Sequence, residues 1–245
     1  MEREQVKYAA ACGSFKGFTE MGVFWDWVSL YQKDAEGKRT KEENLGFGYA
    51  LHQTMDLWYA HQGTAVFLLT TLPKDSERKV GYADSGWTTY ERCSAEQIKK
   101  FYLHDAKWKL VLDLGDGQSA TQRNWPVGPD HFDALVETKK FTNGSDKEAV
   151  KALFRKMSSN QLGGIEKLDF DGMQPPSVED ARRLGGCLNL CANLKVLDLC
   201  RVGMSDEACT TMFSTLASGS LAQLTVSSRP TDPFPARRVL IGALS

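Results

Sequence analysis

One pattern of apolar and polar positions occurs three times in the second half of the chain. Each copy has an apolar residue, two variable residues, a leucine, a polar residue and a second apolar residue. The copies span residues 165–170, 194–199 and 221–226, and they begin 29 and 27 residues apart. After the first two copies, Ser177 and Ser205 precede acidic residues and a helical pattern, which is typical of a helix start. The second half is therefore predicted to alternate strands with helices.

The first half of the chain alternates apolar runs with segments of helical spacing. The predicted strands are 23–30, 64–70 and 109–114, and the predicted helices are 42–59 and 85–102. Because the strands are apolar throughout, we expect a parallel sheet that is covered on both faces by helices. Ligands bind such sheets at the carboxyl ends of the strands. Those ends are residues 29–32, 70–73 and 113–116.

These patterns divide the chain into four parts. The parts are an α/β domain at 1–140, a linker helix at 141–160, repeats at 161–228 and a tail at 229–245 that we expect to be disordered. In the linker, Ser145 is expected to cap a helix over 146–157, with Glu148 at its third position and the repeats packed against it. The residues before 23 favour a helix over a strand, so an absent first strand is one alternative for the sheet. In that case the chain is a fragment or a diverged relative, or its strand pairing is rearranged.

Composition and charge exclude several classes of function. Thirty basic and 31 acidic residues give a net charge of −1, so we expect no general surface for nucleic acids. The apolar runs are too short to span a bilayer, so we expect no membrane partner. The chain begins without the pattern of a secretory signal, and its six cysteines are expected to be reduced and mostly buried, with no bound metal. We therefore expect the protein to be cytoplasmic.

Two segments carry candidate chemistry. In the first, Asp26, Ser29 and Gln32 lie in or just after the predicted strand at 23–30. The structural alternatives are a hydrogen-bonded Asp26 and polar residues that cap the strand end.

In the second segment, Ser85 is expected to cap a helix on which Trp87 and Glu91, four residues apart, share one face. Burial beside an indole raises the pKa of a carboxylate, which makes this pair a candidate for acid–base chemistry. For Glu91, the structural alternative is an exposed ion pair, which has the same weight as the catalytic role. For Trp87, the structural alternative is a core position, which is favoured over contact with a substrate.

The second segment also resembles a known family. Tyr82-x-x-Ser85-x-Trp87-x-x-x-Glu91 resembles the motif of TIR (Toll/interleukin-1 receptor) domains, and the stretch from Trp87 to Glu91 is similar to HET (heterokaryon incompatibility) domains. The earlier block, Trp25-x-x-x-Ser29-x-x-Gln32, is similar to the same families, and the resemblance covers about residues 22–115. It implies a TIR/HET-like, flavodoxin-like sheet.

The TIR-like resemblance also implies an activity. Enzymatic members cleave the nicotinamide–ribose bond of NAD, and the resemblance assigns their catalytic carboxylate to Glu91. Trp87, Ser85 and Tyr82, together with Asp26, Ser29 and Gln32, are then expected to bind the substrate. NAD would be the substrate, and no cofactor is expected. Thr88 stands where the family has a cysteine, a difference that concerns packing more than chemistry.

The repeats resemble leucine-rich repeats of the ribonuclease-inhibitor type over roughly 65 residues. Together the two resemblances imply an intracellular signalling or defence-type protein with an effector domain, self-association and a protein partner bound by the repeats. The alternative is a non-enzymatic protein–protein interaction scaffold. A cleft that holds Glu91 within roughly 10 Å of Ser29 and Gln32 would favour the enzyme.

Overall fold

The structure is a computed structural model that describes only some residues of the chain. These residues are 22–103, 108–115, 123–216, 223–226 and 237–239, without the side chains of residues 26, 27, 103, 108, 223–226 and 237–239. The described chain combines helices with parallel strands, which confirms the predicted α/β class at the coarse level.

Helices dominate the first half of the chain. The helices are α1 (Asp26–Ser29), α2 (Lys41–Tyr49), α3 (Met55–Ala60), α4 (Gly86–Gln97), α5 (Pro129–Glu137) and α6 (Asp146–Gly164). A π-helical segment, Ala50–Thr54, joins α2 to α3, and a 3₁₀ turn, Tyr82–Asp84, precedes α4. The strands are β1 (Val66–Leu68), β2 (Tyr102–Leu103), β3 (Trp108–Lys109) and β4 (Val111–Asp113).

β1 and β4 form a parallel pair, with Val66 opposite Val111 and Leu68 opposite Asp113. Both strands bury apolar side chains against Ala95 of α4, the helix that lies between them in the chain. β2 pairs with β3 in the antiparallel direction. Within the described residues, the parallel sheet of the first half therefore has two strands, placed as predicted, and α4 covers it.

The predicted buried strand at 23–30 is wrong, because this segment contains the short helix α1. The amides of Val28 and Ser29 both donate to the carbonyl oxygen of Trp25, at 3.0 and 2.7 Å. Val23, Trp25 and Val28 are each more than half exposed. A short run of consecutive apolar residues has no periodicity that distinguishes a strand from a helix. The prediction failed because it assumed that the apolar residues of this run are buried.

The other predicted helices are present, with corrected ends. Helix 42–59 is confirmed by α2, the π-helical segment and α3. The helix predicted to reach residue 102 ends at Gln97, and the helix predicted to end at 157 continues to Gly164. The Ser145 side chain makes no capping hydrogen bond to α6, and Glu148 instead pairs with Lys151 at 2.9 Å, so the predicted cap is wrong.

The second half forms the predicted alternation of strands and helices. In chain order its elements are β5 (Lys167–Asp169), α7 (Val178–Leu188), β6 (Val196–Leu199), α8 (Asp206–Thr215), β7 (Gln223–Val226) and β8 (Arg237–Val239). The repeated leucines are in register, with Leu168 opposite Leu197 and Leu197 opposite Leu224 in parallel strands. In the tail, β8 forms an antiparallel strand beside β7. The expected disorder of the tail stays a prediction. Residues 229–236 and 240–245 of the tail lie outside the description.

One hydrophobic cluster contains residues from both halves of the chain. Phe101 and Trp125 from the first half pack in the same cluster as Leu168 and Phe170 of the repeats. Leu162 near the end of α6 belongs to this cluster too, so the repeats pack against this helix as expected. Among the described residues, no helix combines the length and apolar character needed to cross a membrane.

Helices α7 and α8 approach each other closely at Gly185. A Cβ atom there would lie 1.7 Å from the Thr215 hydroxyl oxygen and 2.7 Å from the Met212 carbonyl oxygen. Any side chain at this position would push the two helices apart.

The serine caps give a direct test of the repeat structure. The Ser177 hydroxyl accepts from the Asp180 amide at 3.1 Å, and the Asp180 side chain accepts from the Ser177 amide in return. We expect Ser177→Ala to lower the free energy of unfolding by about 1 kcal/mol, measured by urea denaturation. Ser145→Ala is the matched control and should change stability little, because the Ser145 side chain caps nothing. Equal losses in the two variants would contradict the capping role.

Candidate functional site

The start of α4 is fixed by contacts with residues 140–141. The Gly86 amide donates to the Lys140 carbonyl oxygen at 3.0 Å, and the Lys140 amide donates to the Asp84 carbonyl oxygen at 2.8 Å. A Cβ atom on Gly86 would lie 1.9 Å from the Phe141 ring, so only glycine fits. These contacts set the direction in which α4 leaves the preceding turn.

Ser85 is buried at the N-terminus of α4, as the motif predicts, but its hydroxyl makes no capping bond to the helix. The hydroxyls of Thr88 and Thr89 donate to the Ser85 carbonyl oxygen at 3.1 and 2.8 Å. The Ser85 hydroxyl accepts a long hydrogen bond of 3.5 Å from Arg78. The predicted side-chain cap by Ser85 is therefore wrong, and the threonines stabilise the turn instead.

Trp87 packs between helices α4 and α6. Its indole N–H donates to Asp146 at 3.0 Å, and its ring meets Tyr90 edge-on at a centroid distance of 6.3 Å. Tyr90 is 1 % exposed and packs against Phe132 and Phe154. These contacts support the core alternative for Trp87, because its polar group already has a partner within the protein.

Glu91 is half-buried, one helical turn after Trp87, and it acts electrostatically on Tyr82. Burial raises the pKa of the Tyr82 hydroxyl, and the negative charge of Glu91 raises it further. The Tyr82 hydroxyl is buried and has no hydrogen-bond partner among the described residues. A neutral phenol with a free O–H donor thus lies in the electric field of the Glu91 carboxylate.

The structure does not place the first predicted segment at a sheet edge. Ser29 ends the exposed helix α1, and its hydroxyl accepts from the Trp25 amide at 3.2 Å. Gln32 is exposed, and its side chain donates to the Leu30 carbonyl oxygen at 3.1 Å. Asp26 lies in α1, but its side chain is outside the description. Because this segment forms no strand, the expectation that these residues flank a strand end is wrong; their distance from Glu91 stays a prediction.

The predicted strand ends after β1 and β4 lie next to each other. The Thr70 hydroxyl, just after β1, donates to the Asp113 carboxylate at the end of β4. The same carboxylate oxygen accepts from the Gly115 amide at 2.9 Å. This edge is therefore closed by hydrogen bonds across the parallel pair.

A buried group of charges at the end of α4 was not predicted. Glu96 accepts from the Arg92 side chain at 3.2 Å and from the Asn124 backbone and side chain at 3.0 and 3.1 Å. Arg123 donates to the carbonyl oxygens of Glu96 and Lys99. Burial raises the pKa of Glu96, while Arg92, Asn124 and Arg123 oppose that rise. In the sequence, residues 92, 96 and 99 have the spacing of one helical face. Charged residues with this spacing are also typical of an exposed helix face, so the burial of this group could not be predicted.

Lys99 is fully buried within this group. Its ammonium donates to the Thr64 hydroxyl at 2.7 Å and to the His61 carbonyl oxygen. Burial, with a smaller contribution from the charge of Arg123, lowers the pKa of Lys99 to about 7. Lys99 therefore anchors the turn before β1 to the end of α4.

The repeats present one covered and one uncovered sheet face. Leu168, Phe170, Leu197 and Leu199 are buried against the residues of α7 and α8. The alternate positions on β5 and β6 are exposed or half-exposed, and they are Lys167, Asp169, Val196 and Asp198. We call these four residues the strand face.

The ion pairs on the strand face are loose. The Lys167 nitrogen lies 3.6 Å from a carboxylate oxygen of Asp169 and 4.0 Å from one of Asp198. The Lys100 nitrogen lies 3.7 Å from the same Asp169 oxygen. The other oxygen of each aspartate accepts a backbone N–H, so the loop after each strand fixes the carboxylates.

The described cysteines are free thiols, as expected. Cys187 and Cys191 are buried, while Cys93, Cys200 and Cys209 are half-buried. Burial raises the pKa of Cys191 to about 12, which keeps this thiol protonated and unreactive. Across residues 22–103, 108–115 and 123–216, no group of three histidine, cysteine or acidic side chains is arranged to hold a metal ion.

Comparison with known proteins gives no relative for this chain. No protein-family model, no curated protein and no solved structure matches it significantly. Its function must therefore be inferred from the residues and contacts above.

The low pKa of Lys99 gives a pH-dependent prediction. The unfolded chain binds a proton on Lys99 below about pH 10.5, whereas the folded chain binds it only below about pH 7. The contribution of Lys99 to the free energy of unfolding should therefore rise between these pH values, by at most about 1.4 kcal/mol per pH unit. Below pH 7 it should be constant.

Lys99→Met tests this prediction because it keeps the length of the side chain and removes the titrating group. The stability difference between wild type and Lys99→Met should change in favour of wild type as the pH rises from 7 to 10, measured by urea denaturation. Lys100→Met, which removes a half-exposed amine, should keep the wild-type pH profile. A Lys99→Met profile parallel to that of wild type would show that the buried amine does not titrate in this range.

Proposed function

We propose that this protein is a recognition module whose strand face binds a protein partner. The observation that carries the proposal is the one-sided cover of β5 and β6 within the part of the chain that the structure describes. Parallel sheets are usually covered on both faces, but the described helices α7 and α8 pack on one face only. In stacked-repeat proteins the uncovered strands form the binding surface. The strand spacing and the capped helices support assigning the repeats to the leucine-rich class.

The ion pairs of the strand face are long enough for a charged group of a partner to replace one of their members. The ion pairs of Lys167 and Lys100 are 3.6 to 4.0 Å long, whereas a charge-assisted hydrogen bond is about 2.7–2.9 Å. Partly exposed pairs of this kind contribute little to folding stability, about 0–1 kcal/mol. A basic group on a partner could therefore replace a lysine beside Asp169 or Asp198 at small cost.

Charge reversal of the strand face tests the proposal. The double variant Asp169→Lys/Asp198→Lys should weaken binding of a partner captured by wild-type protein at least about tenfold, measured by titration calorimetry. The matched control is Asp75→Lys/Glu77→Lys, which makes the same charge change in the exposed loop before α4. This control should bind like wild type. Circular dichroism should show that both variants are folded at the temperature of the titration, because the double variant also loses the hydrogen bonds from the loop amides to Asp169 and Asp198 and is expected to be less stable. A partner bound equally by all three proteins would refute the assignment of the surface.

The second candidate function is hydrolysis of NAD at Glu91. It is favoured by the half-buried position of Glu91 and by its electrostatic effect on the neutral Tyr82 phenol. Cleavage of an N-glycosidic bond develops positive charge on the ribose, which a nearby carboxylate stabilises. Nicotinamide leaves as a neutral molecule, so Glu91 would not need to be helped by an acid. With this activity, the chain would combine an effector half with a recognition half, as in a cytoplasmic signalling or defence protein.

Nicotinamide release tests the second candidate. Purified wild-type protein should release nicotinamide from NAD, and Glu91→Gln should reduce the rate by about 100-fold or more, because the charge is lost while the shape is kept. Glu77→Gln makes the same chemical change on the exposed loop and should keep the wild-type rate. Absence of release from wild type, or equal rates in wild type and Glu91→Gln, would remove this candidate and leave the recognition function.

A further inference from the structure

Large apolar side chains are exposed in one part of the described chain. Nine of them are more than 40 % exposed, and all nine lie between residues 23 and 69. We call them the N-terminal apolar face, which consists of Val23, Trp25, Val28, Tyr31, Leu45, Tyr49, Leu57, Trp58 and Leu69.

Contacts join the segment around α1 to α2 and α3, and these three parts carry eight of the nine residues. Phe24 stacks on Trp58 with a centroid distance of 4.4 Å. The Tyr31 ring lies 2.9 Å from the position of a Cβ atom on Gly46, in the middle of α2. The segment around α1 therefore lies across α2 and α3 and adds its own exposed side chains to theirs.

Helix α2 has no inward-facing anchor that would explain its apolar residues. Neither α2 nor the π-helical segment after it contains a buried residue. Leu45 and Tyr49 are one helical turn apart on α2, and each is about two-thirds exposed. Two large apolar side chains on one helical face, both in contact with water, are the pattern of a helix that packs against a partner.

The size of the face matches one side of a dimer interface. Nine large side chains exposed to this degree present on the order of 1,000 Å² of apolar surface. The largest patch on a typical monomer is about 300–600 Å², and a standard interface buries about 800 Å² on each partner. The N-terminal apolar face is therefore larger than the largest patch of a typical monomer, and it is large enough to form one side of a standard interface.

The charges beside the face favour a second copy of this chain over an anionic partner. Residues 33–43 carry four basic and four acidic side chains, so this border has no net charge. A nucleic acid or an anionic membrane would require an excess of basic residues there. Two copies with a neutral, mixed border meet without net repulsion, and an apolar face is complementary to itself, as a two-fold interface requires.

We propose that the N-terminal apolar face is a two-fold dimer interface in which α2 of one copy packs against the same face of the other. The N-terminal apolar face and the strand face share no residue, and the proposal does not depend on the proposed partner binding. A dimer would present two strand faces and raise the avidity for a partner with two or more sites.

The molar mass of the full chain in solution tests the proposal. Sedimentation equilibrium of wild type, from nanomolar to high micromolar concentration, should show a monomer–dimer equilibrium. The double variant Leu45→Glu/Tyr49→Glu should raise the dimer dissociation constant at least about tenfold, because each change buries an acidic group in an apolar interface. Both residues are exposed, so the variant should keep the wild-type circular dichroism and thermal unfolding.

Ala134→Glu is the matched control. It places an acidic group at an exposed apolar position of α5, outside the face, and should dimerise like wild type. A wild-type protein that is monomeric at every concentration would overturn the proposal, as would a Leu45→Glu/Tyr49→Glu variant that dimerises like wild type. Binding of monomeric wild type to vesicles of neutral phosphatidylcholine, lost in the double variant, would assign the face to a membrane instead.

Discussion

Arg123 contacts both halves of this protein at the buried end of α4. It donates to the carbonyl oxygens of Glu96 and Lys99 at the end of α4, while the Arg123 carbonyl oxygen accepts from Gln174 of the repeats. The guanidinium also lies 5.8 Å from the centre of the Phe170 ring, in the shared core. A helix end exposes unsatisfied carbonyl groups, and burial of that end is tolerated only if donors satisfy them. Arg123 supplies these donors, so the repeats can pack against the end of α4.

The parts of the structure set by local interactions could be predicted from the sequence. Ser177 and Ser205 mark helix starts because the cap uses the serine side chain and an amide only three residues away. The strands of the repeats were predictable because the leucines recur with the spacing of one strand–helix unit. The relation of Trp87 to Glu91 followed from helical spacing alone.

The parts set by contacts distant in sequence could not be predicted. Residues 23–30 contain the short helix α1, and apolar side chains of this segment meet water and Trp58. Nothing in the apolar run itself distinguishes this arrangement from a buried strand. The placement of Ser29 and Gln32 at a strand end failed with that strand, whereas their assignment to a substrate site stays a prediction. The buried group of charged residues at the end of α4 was not predicted for a related reason. Lys99 binds the carbonyl oxygen of His61, which lies 38 residues earlier in the chain. A charged residue at a helix end is usually solvated, and only tertiary structure shows that this one is buried.

The close approach at Gly185 sets the shape of the repeats. Neighbouring strands in a sheet are about 4.8 Å apart, whereas packed helices are usually about 8–10 Å apart. This difference bends a stack of strand–helix units into an arc with the strands on its inner side. Because Gly185 lets α7 approach Thr215 and Met212 of α8 directly, we expect a shallower arc between these two units than a larger residue would give. If the strands bind a partner as proposed, a shallow arc would suit a broad, rigid epitope better than a single inserted loop.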